Sequence, residues 1–192
     1  KGRFNGKRIN YLTMDLVQQI LDDYSREGKS TISVSIEEIS KNDYILIPQR
    51  YVSTNAFSNT ICLGDILENF SRGITLSASE MDELIVEETT RDTCILPSSL
   101  EGGIVSKKYY FNDRDYNYKR NNTLAGDLLI SKTGNPYRVA IAEDWCMVIG
   151  NIYILRIKKN TINPYYIKCF LESENGQKEL LKLSVGAKTP LI

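Results

Sequence analysis

With 192 residues, 24 basic and 24 acidic side chains and a formal net charge of zero, the chain can bury a real core but is no polycation, so any contact with nucleic acid must rest on local charge. It holds no histidine, and its four cysteines, Cys62, Cys94, Cys146 and Cys169, stand far apart. That argues against a zinc site with paired ligands, removes the commonest general base and makes hydrolytic catalysis a poor fit.

The cysteines read as buried thiols of a cytoplasmic protein. No apolar run nears the roughly 18 residues of a membrane helix, and no signal peptide is visible. The chain opens on Lys1 and closes on Thr189-Pro190-Leu191-Ile192, and is expected to be part of something longer.

Residues 1–11 are basic, with Lys1, Arg3, Lys7 and Arg8 beside Phe4 and Tyr11. Thr13 is placed to cap a helix through Arg26, because Leu16, Val17, Ile20, Leu21 and Tyr24 recur at helical spacing. Gly28 would end it. Ser35-Ile36-Glu37-Glu38 has the form of a capping box, opening a short turn before Asn42-Asp43-Tyr44 and Pro48. Tyr51–Thr60 is polar and reads as a linker, which divides the chain into an arm over 1–53 and a domain over 54–192.

The second unit is expected to begin with a short helix over Leu63–Phe70, then a glycine turn at Ser71-Arg72-Gly73-Ile74. Residues 77–92 carry Glu80, Asp82, Glu83, Glu87, Glu88 and Asp92, the pattern of an exposed, solvated loop or helix face. Asp92–Leu96 reads as a strand, and Gly102-Gly103 as a turn. The stretch Ala125–Ile157 reads as three or four strands: Asp127–Ser131, Val139–Ala142, Met147–Ile149 and a half-buried Tyr153–Ile157. Lys132-Thr133-Gly134-Asn135-Pro136 and Gly150-Asn151 supply the turns. Asn163-Pro164 starts a helix with Tyr166, Ile167, Phe170 and Leu171 facing one way, and Ser173–Leu183 forms a second one ended by Gly186. The fold class is therefore α+β, a helical arm followed by a mixed, twisted sheet flanked by short helices.

One segment carries recognisable binding chemistry. Over 107–138 seven cations (Lys107, Lys108, Arg114, Lys119, Arg120, Lys132 and Arg138) face three carboxylates, and Tyr109, Tyr116, Tyr118 and Tyr137 lie among them. Such cations neutralise phosphates or fork onto guanine edges, and tyrosines contact sugars or stack. The bland alternative is a strand pair with surface lysines. Gly126–Thr133 has the outline of a phosphate loop, but its middle is itself strand-like and Gly134-Asn135-Pro136 opens no helix. A metal nuclease would need carboxylates beside a lysine on adjacent strands. The only acidic-x-Lys triplet is Glu27-Gly28-Lys29, at a helix end, and Asp113-Arg114-Asp115 fits a turn better.

Two stretches resemble parts of one system. Residues 9–52 resemble the C-terminal tail of the modification subunit of type I restriction–modification systems, an adenine DNA methyltransferase. The matching residues are Asn10-Tyr11-Leu12, Val34-Ser35-Ile36-Glu37-Glu38-Ile39, Asn42-Asp43-Tyr44 and Arg50-Tyr51-Val52. Residues 61–192 resemble one target recognition domain of the specificity subunit, through Leu63-Gly64-Asp65-Ile66, Arg72-Gly73, Gly126-Asp127-Leu128-Leu129-Ile130-Ser131, Gly150-Asn151, Asn163-Pro164-Tyr165-Tyr166, and Leu183 to Gly186 with Lys188-Thr189-Pro190.

The resemblance implies a module that reads double-stranded DNA, contributes half of a bipartite site, docks beside the methyltransferase subunit or domain, and does no chemistry. It implies no cofactor in this chain, and a second recognition domain or a homodimer as partner. The chain departs from the family pattern by joining the tail directly to a single recognition domain and by lacking the spacer helix expected after Pro190. It carries neither a methyltransferase glycine loop nor an Asn/Asp-Pro-Pro-aromatic motif, so a methylating parent would hold them before Lys1. With that resemblance DNA recognition by 107–138 leads, and residue chemistry makes Lys107, Lys108, Arg114, Tyr116, Tyr118, Lys119, Arg120, Lys132, Tyr137 and Arg138 the candidate DNA-binding set, with Gly126, Asp127, Gly134 and Gly150 structural. The alternative is a docking module in which 1–52 and the acidic 77–92 stretch mediate assembly.

Overall fold

A computed structural model describes residues 2–4, 7–9, 13–26, 32–46, 48–51, 60–112, 121–134 and 136–184. The chain divides into two compact units, Lys1–Val52 and Ser53–Ile192.

In the first unit, β1 (Gly2–Phe4) and β2 (Lys7–Ile9) pair as an antiparallel hairpin that the basic segment alone did not announce. Helix α1 (Met14–Arg26) starts where expected, with the Thr13 hydroxyl accepting from the Leu16 amide at 3.2 Å. Its apolar stripe, Leu16, Ile20, Leu21 and Tyr24, remains exposed. Helix α2 (Ile36–Lys41) is capped by Ser35, whose hydroxyl accepts from the Glu38 amide at 3.2 Å. The carboxylate that meets the Ser35 hydroxyl belongs to Glu37.

The second unit differs from expectation at its start. Only Leu63–Ile66 winds into a helical turn, and Leu67–Arg72 is strand β3. The helical spacing of that segment is overridden by tertiary pairing, because β3 runs antiparallel along a six-residue strand much later in the chain. Helix α3 (Ala78–Leu84) follows, closed by a capping box in which the Glu80 amide donates to the Ser77 hydroxyl and the Glu80 carboxylate accepts from the Ser77 amide at 2.7 Å. Short strands β4 (Ile85–Val86), β5 (Thr93–Ile95), β6 (Leu100–Glu101), β7 (Ile104–Val105) and β8 (Tyr109–Phe111) come next. They are followed by β9 (Leu128–Ser131), β10 (Val139–Ile141), β11 (Met147–Val148) and β12 (Ile152–Ile157), then helices α4 (Pro164–Glu172) and α5 (Glu174–Leu183).

The α+β class holds, but the one sheet expected is two. The order β10-β9-β12-β3 is antiparallel throughout. The order β11-β5-β8-β4 is mixed, with β11 parallel to β5. Met147–Ile149 therefore leaves the platform formed by its neighbours and joins the second sheet. Strands β6 and β7 form a separate hairpin.

The first sheet is covered on both faces. Leu128, Ile130, Leu155 and Ile157 pack with Ile167, Leu171 and Leu180 of the two helices. Leu129, Ile152 and Ile154 pack with Ile95, Leu100 and Val148, from and beside the second sheet. Tyr153–Ile157 is thus a strand buried on both sides, not the half-buried one its alternation implied, because α4 and α5 lie over the face that would have met water. Asn163 caps α4 through its side-chain oxygen, 2.9 Å from the Tyr165 amide, with Pro164 at the first helical position. Ile167 and Leu171, four residues apart, face the core, while Tyr166, expected beside them, is 65% exposed.

Of the four cysteines, Cys94 and Cys146 are buried as expected, and Cys62 and Cys169 are exposed. The expected helix ends at Gly28 and Gly186, most of the linker, the Glu27-Gly28-Lys29 triplet and Lys188-Thr189-Pro190 lie outside the described residues.

Candidate nucleic-acid interface

The candidate set separates into four groups. Arg114, Tyr116, Tyr118, Lys119 and Arg120 lie outside the described residues. Tyr137 is core: it is 2% exposed, its amide donates to the Gln177 side chain at 2.7 Å, and its carbonyl accepts from the same amide group at 2.9 Å. Burial pushes its phenol above the usual range. The tyrosine pins α5 to the first sheet, so its role is packing and not surface stacking.

Lys107 and Lys108 lie beside β8, in a groove of about 580 Å³ that also takes in Asp82 and Glu87 from the α3–β4 segment. The acidic stretch and one end of the basic stretch therefore line the same surface. The Lys107 ammonium sits over the Tyr109 ring, 4.4 Å from its centre. Lys108 donates to the Asp144 carboxylate at 2.7 Å, and that contact holds the Asp144 carboxyl below its usual range. A lysine already paired has less to offer a phosphate.

Lys132 and Arg138 belong to the last group, at the turns that end the strands of the first sheet. The Lys132 amide donates to the Asn151 carbonyl at 2.9 Å, so the turn after β9 is tied to the Gly150-Asn151 turn. The Arg138 amide donates to the Ser131 hydroxyl at 2.8 Å, and its guanidinium reaches the Pro97 carbonyl at 3.4 Å. Gly150 sits at φ +85°, with the Pro97 ring where a Cβ would point. Both cations thus flank one turn.

Four further residues join this group. Arg72, the last residue of β3, lies directly across from Tyr153 in the ladder. Lys132 extends over the Tyr153 ring, 5.2 Å from its centre. Phe70 stacks against that ring with centroids 5.0 Å apart and planes tilted by 34°. The Asn121 side-chain amide donates to the Arg72 carbonyl at 2.6 Å, which fixes the residue following the basic tyrosine-rich segment to the end of β3. Among the described residues no carboxylate lies within ion-pair distance of Arg72, Lys132 or Arg138. Sequence reading missed Phe70, Arg72 and Tyr153 because their proximity depends on the β3–β12 pairing, which no local pattern displays.

Asp127 is structural, as its place in the Gly126–Ser131 run implied. It is 2% exposed and holds Arg156 by two bonds, 2.9 Å to Nε and 2.6 Å to Nη2, while accepting from the Leu124 amide at 2.8 Å. Burial pushes the Cys94 thiol up to about 12 and the Cys146 thiol to about 11, so neither is a ready nucleophile. Among the described residues no group of three or more carboxylates or cysteines could hold a metal ion, and no helix is long and apolar enough to cross a membrane.

The sequence matches no protein-family model, and no curated protein matches it. Among solved structures, a chain of the type I restriction–modification system, described for its complex assembly and conformational transition, superposes over 88% of this chain with a TM-score of 0.51 at 13% identity. The HsdS subunit from Thermoanaerobacter tengcongensis covers 92% with a TM-score of 0.48 at 14% identity. This chain spans 40% and 44% of their lengths. Its fold is that of part of a type I restriction–modification chain.

Proposed function

We propose that this chain is a sequence-specific double-stranded DNA-binding module, the target recognition module of a type I-like restriction–modification DNA methyltransferase, and that it performs no chemistry itself. The observation that carries the reading is the fold it shares with a chain of that system. The turn cluster gives the reading a surface: Arg72 and Lys132 lie beside Phe70 and Tyr153, and the Arg138 guanidinium reaches the Pro97 carbonyl at the neighbouring turn. Individual base contacts within 107–138 remain part of this proposal, with Arg114, Lys119 and Arg120 its strongest cations by chemistry.

The partners that follow are double-stranded DNA, a methyltransferase subunit or domain, and a second recognition domain or second copy to complete a bipartite site. The arm over 1–53, which resembles a methyltransferase tail, would supply the docking to the catalytic part. No cofactor is required of this chain, and a place in the cytoplasm goes with the reading.

A second reading, an assembly module with little DNA affinity of its own, draws on the exposed apolar stripe of α1 and on the acidic α3–β4 segment that shares a groove with Lys107 and Lys108. Salt separates the two. Binding through phosphates weakens steeply as salt rises, with a slope set by the number of phosphates neutralised. Charge reversal at Arg72 and Lys132 together should flatten that slope by about two phosphate contacts. Unchanged affinity and slope in the folded double variant would move the DNA face elsewhere. Incubation with plasmid and magnesium should leave the plasmid intact, and metal-dependent cleavage would overturn the non-catalytic part.

A further inference from the structure

We infer that Phe70 is a base-reading residue of the proposed DNA interface, contacting the 5-methyl group of a thymine while Arg72 and Lys132 engage the flanking phosphates; the inference rests on the DNA-binding reading above. Strand β3 is the edge of the first sheet, and Phe70 and Arg72 alternate onto the face that carries Tyr153 and Leu155. Phe70 is 57% exposed although it lies opposite the buried Leu155. Its ring is held from behind by Tyr153, 5.0 Å away, and that ring in turn lies under the Lys132 ammonium. The result is an aromatic edge backed by a second ring, open on its outer side, with cations at one end.

Within DNA only thymine offers an apolar group in the major groove, and a phenyl ring is one of the side chains that meets it. An exposed ring beside phosphate-binding cations suits that contact.

The test uses the full chain and two pools of random duplexes, one made with thymidine and one with deoxyuridine, which lacks only the methyl group. At low salt the protein should retain the thymidine pool about three- to fivefold better, the size expected for one buried methyl group. Phe70→Ser should still bind and should lose the preference. Phe70→Leu should keep part of it. Equal retention of both pools by the unaltered protein, or a preference that survives in Phe70→Ser, overturns the inference while leaving DNA binding in place. Failure of the folded protein to retain either pool overturns both the inference and the DNA reading, and would make Phe70 a protein-docking residue.

Discussion

Asp127 shows how a residue inside a familiar-looking motif can be wholly occupied with holding the fold. Its two bonds to Arg156 tie β12 to the approach of β9, and its bond to the Leu124 amide shapes the turn before that strand. Asparagine at 127 would keep the shape but remove the carboxylate that Arg156 grips with two bonds, leaving only the more distant charge of Glu68. We expect Asp127→Asn to cost about 2–4 kcal/mol, read as a lower urea midpoint with little change in slope. The Lys108–Asp144 pair is different, because Asp144 is more than half exposed. Its worth is at most about 1 kcal/mol. The Asp144 carboxyl is held low by Lys108, so the pair's contribution is present above the ordinary aspartate range and disappears as pH falls through the lowered value. Lys108→Met should therefore be slightly less stable than the unaltered protein at neutral pH and equal to it in acid. A stability gap that widened on acidification would show that the pair does not act this way.

At the scale of elements, glycines mark where two parts approach too closely for a side chain. A Cβ on Gly73 would lie 2.6 Å from the Gly150 carbonyl oxygen, so Gly73→Ala must push apart the two turns that position Arg72 and Lys132. A Cβ on Gly176 would collide with the Phe170 carbonyl, so Gly176→Ala must unseat α5 from α4. Both substitutions should lower the melting temperature, and Gly73→Ala should also weaken DNA binding more than its stability loss explains. If Gly73→Ala bound DNA normally, the turn cluster would not be the interface. These contacts also mark what sequence reading could reach. Helices α1, α4 and α5 were legible because their caps and spacing are local. The run Leu128–Ser131 was legible because a dense apolar segment that short fits a buried strand. Strand β3 was misread as helical because its identity comes from β12, some eighty residues later; β5 and β11 were legible as strands, but their membership of a second sheet was not, because that pairing joins segments two or three residues long from distant parts of the chain. Tyr137 was misplaced for a related reason: it sits among cations in sequence, while Gln177 and the packing of α5 draw it inward.

For the whole molecule, a net charge of zero coexists with an uneven surface, because six carboxylates fall within residues 80–92 while Arg72, Lys132 and Arg138 lie at strand-ending turns. DNA binding should therefore be weak in bulk electrostatic terms and specific in its contacts. A polycation would show the reverse. Charge reversal at Lys119 and Arg120 should lower affinity at low salt, and an unchanged value in the folded protein would exclude that segment from the interface. The central claim is that this module reads a sequence. Its most direct test is selection of a random duplex library by the full chain at low salt, followed by sequencing of the retained DNA. A short enriched half-site is expected. A folded protein that retains DNA without enriching any sequence, or retains none, would contradict it and leave the assembly reading in its place.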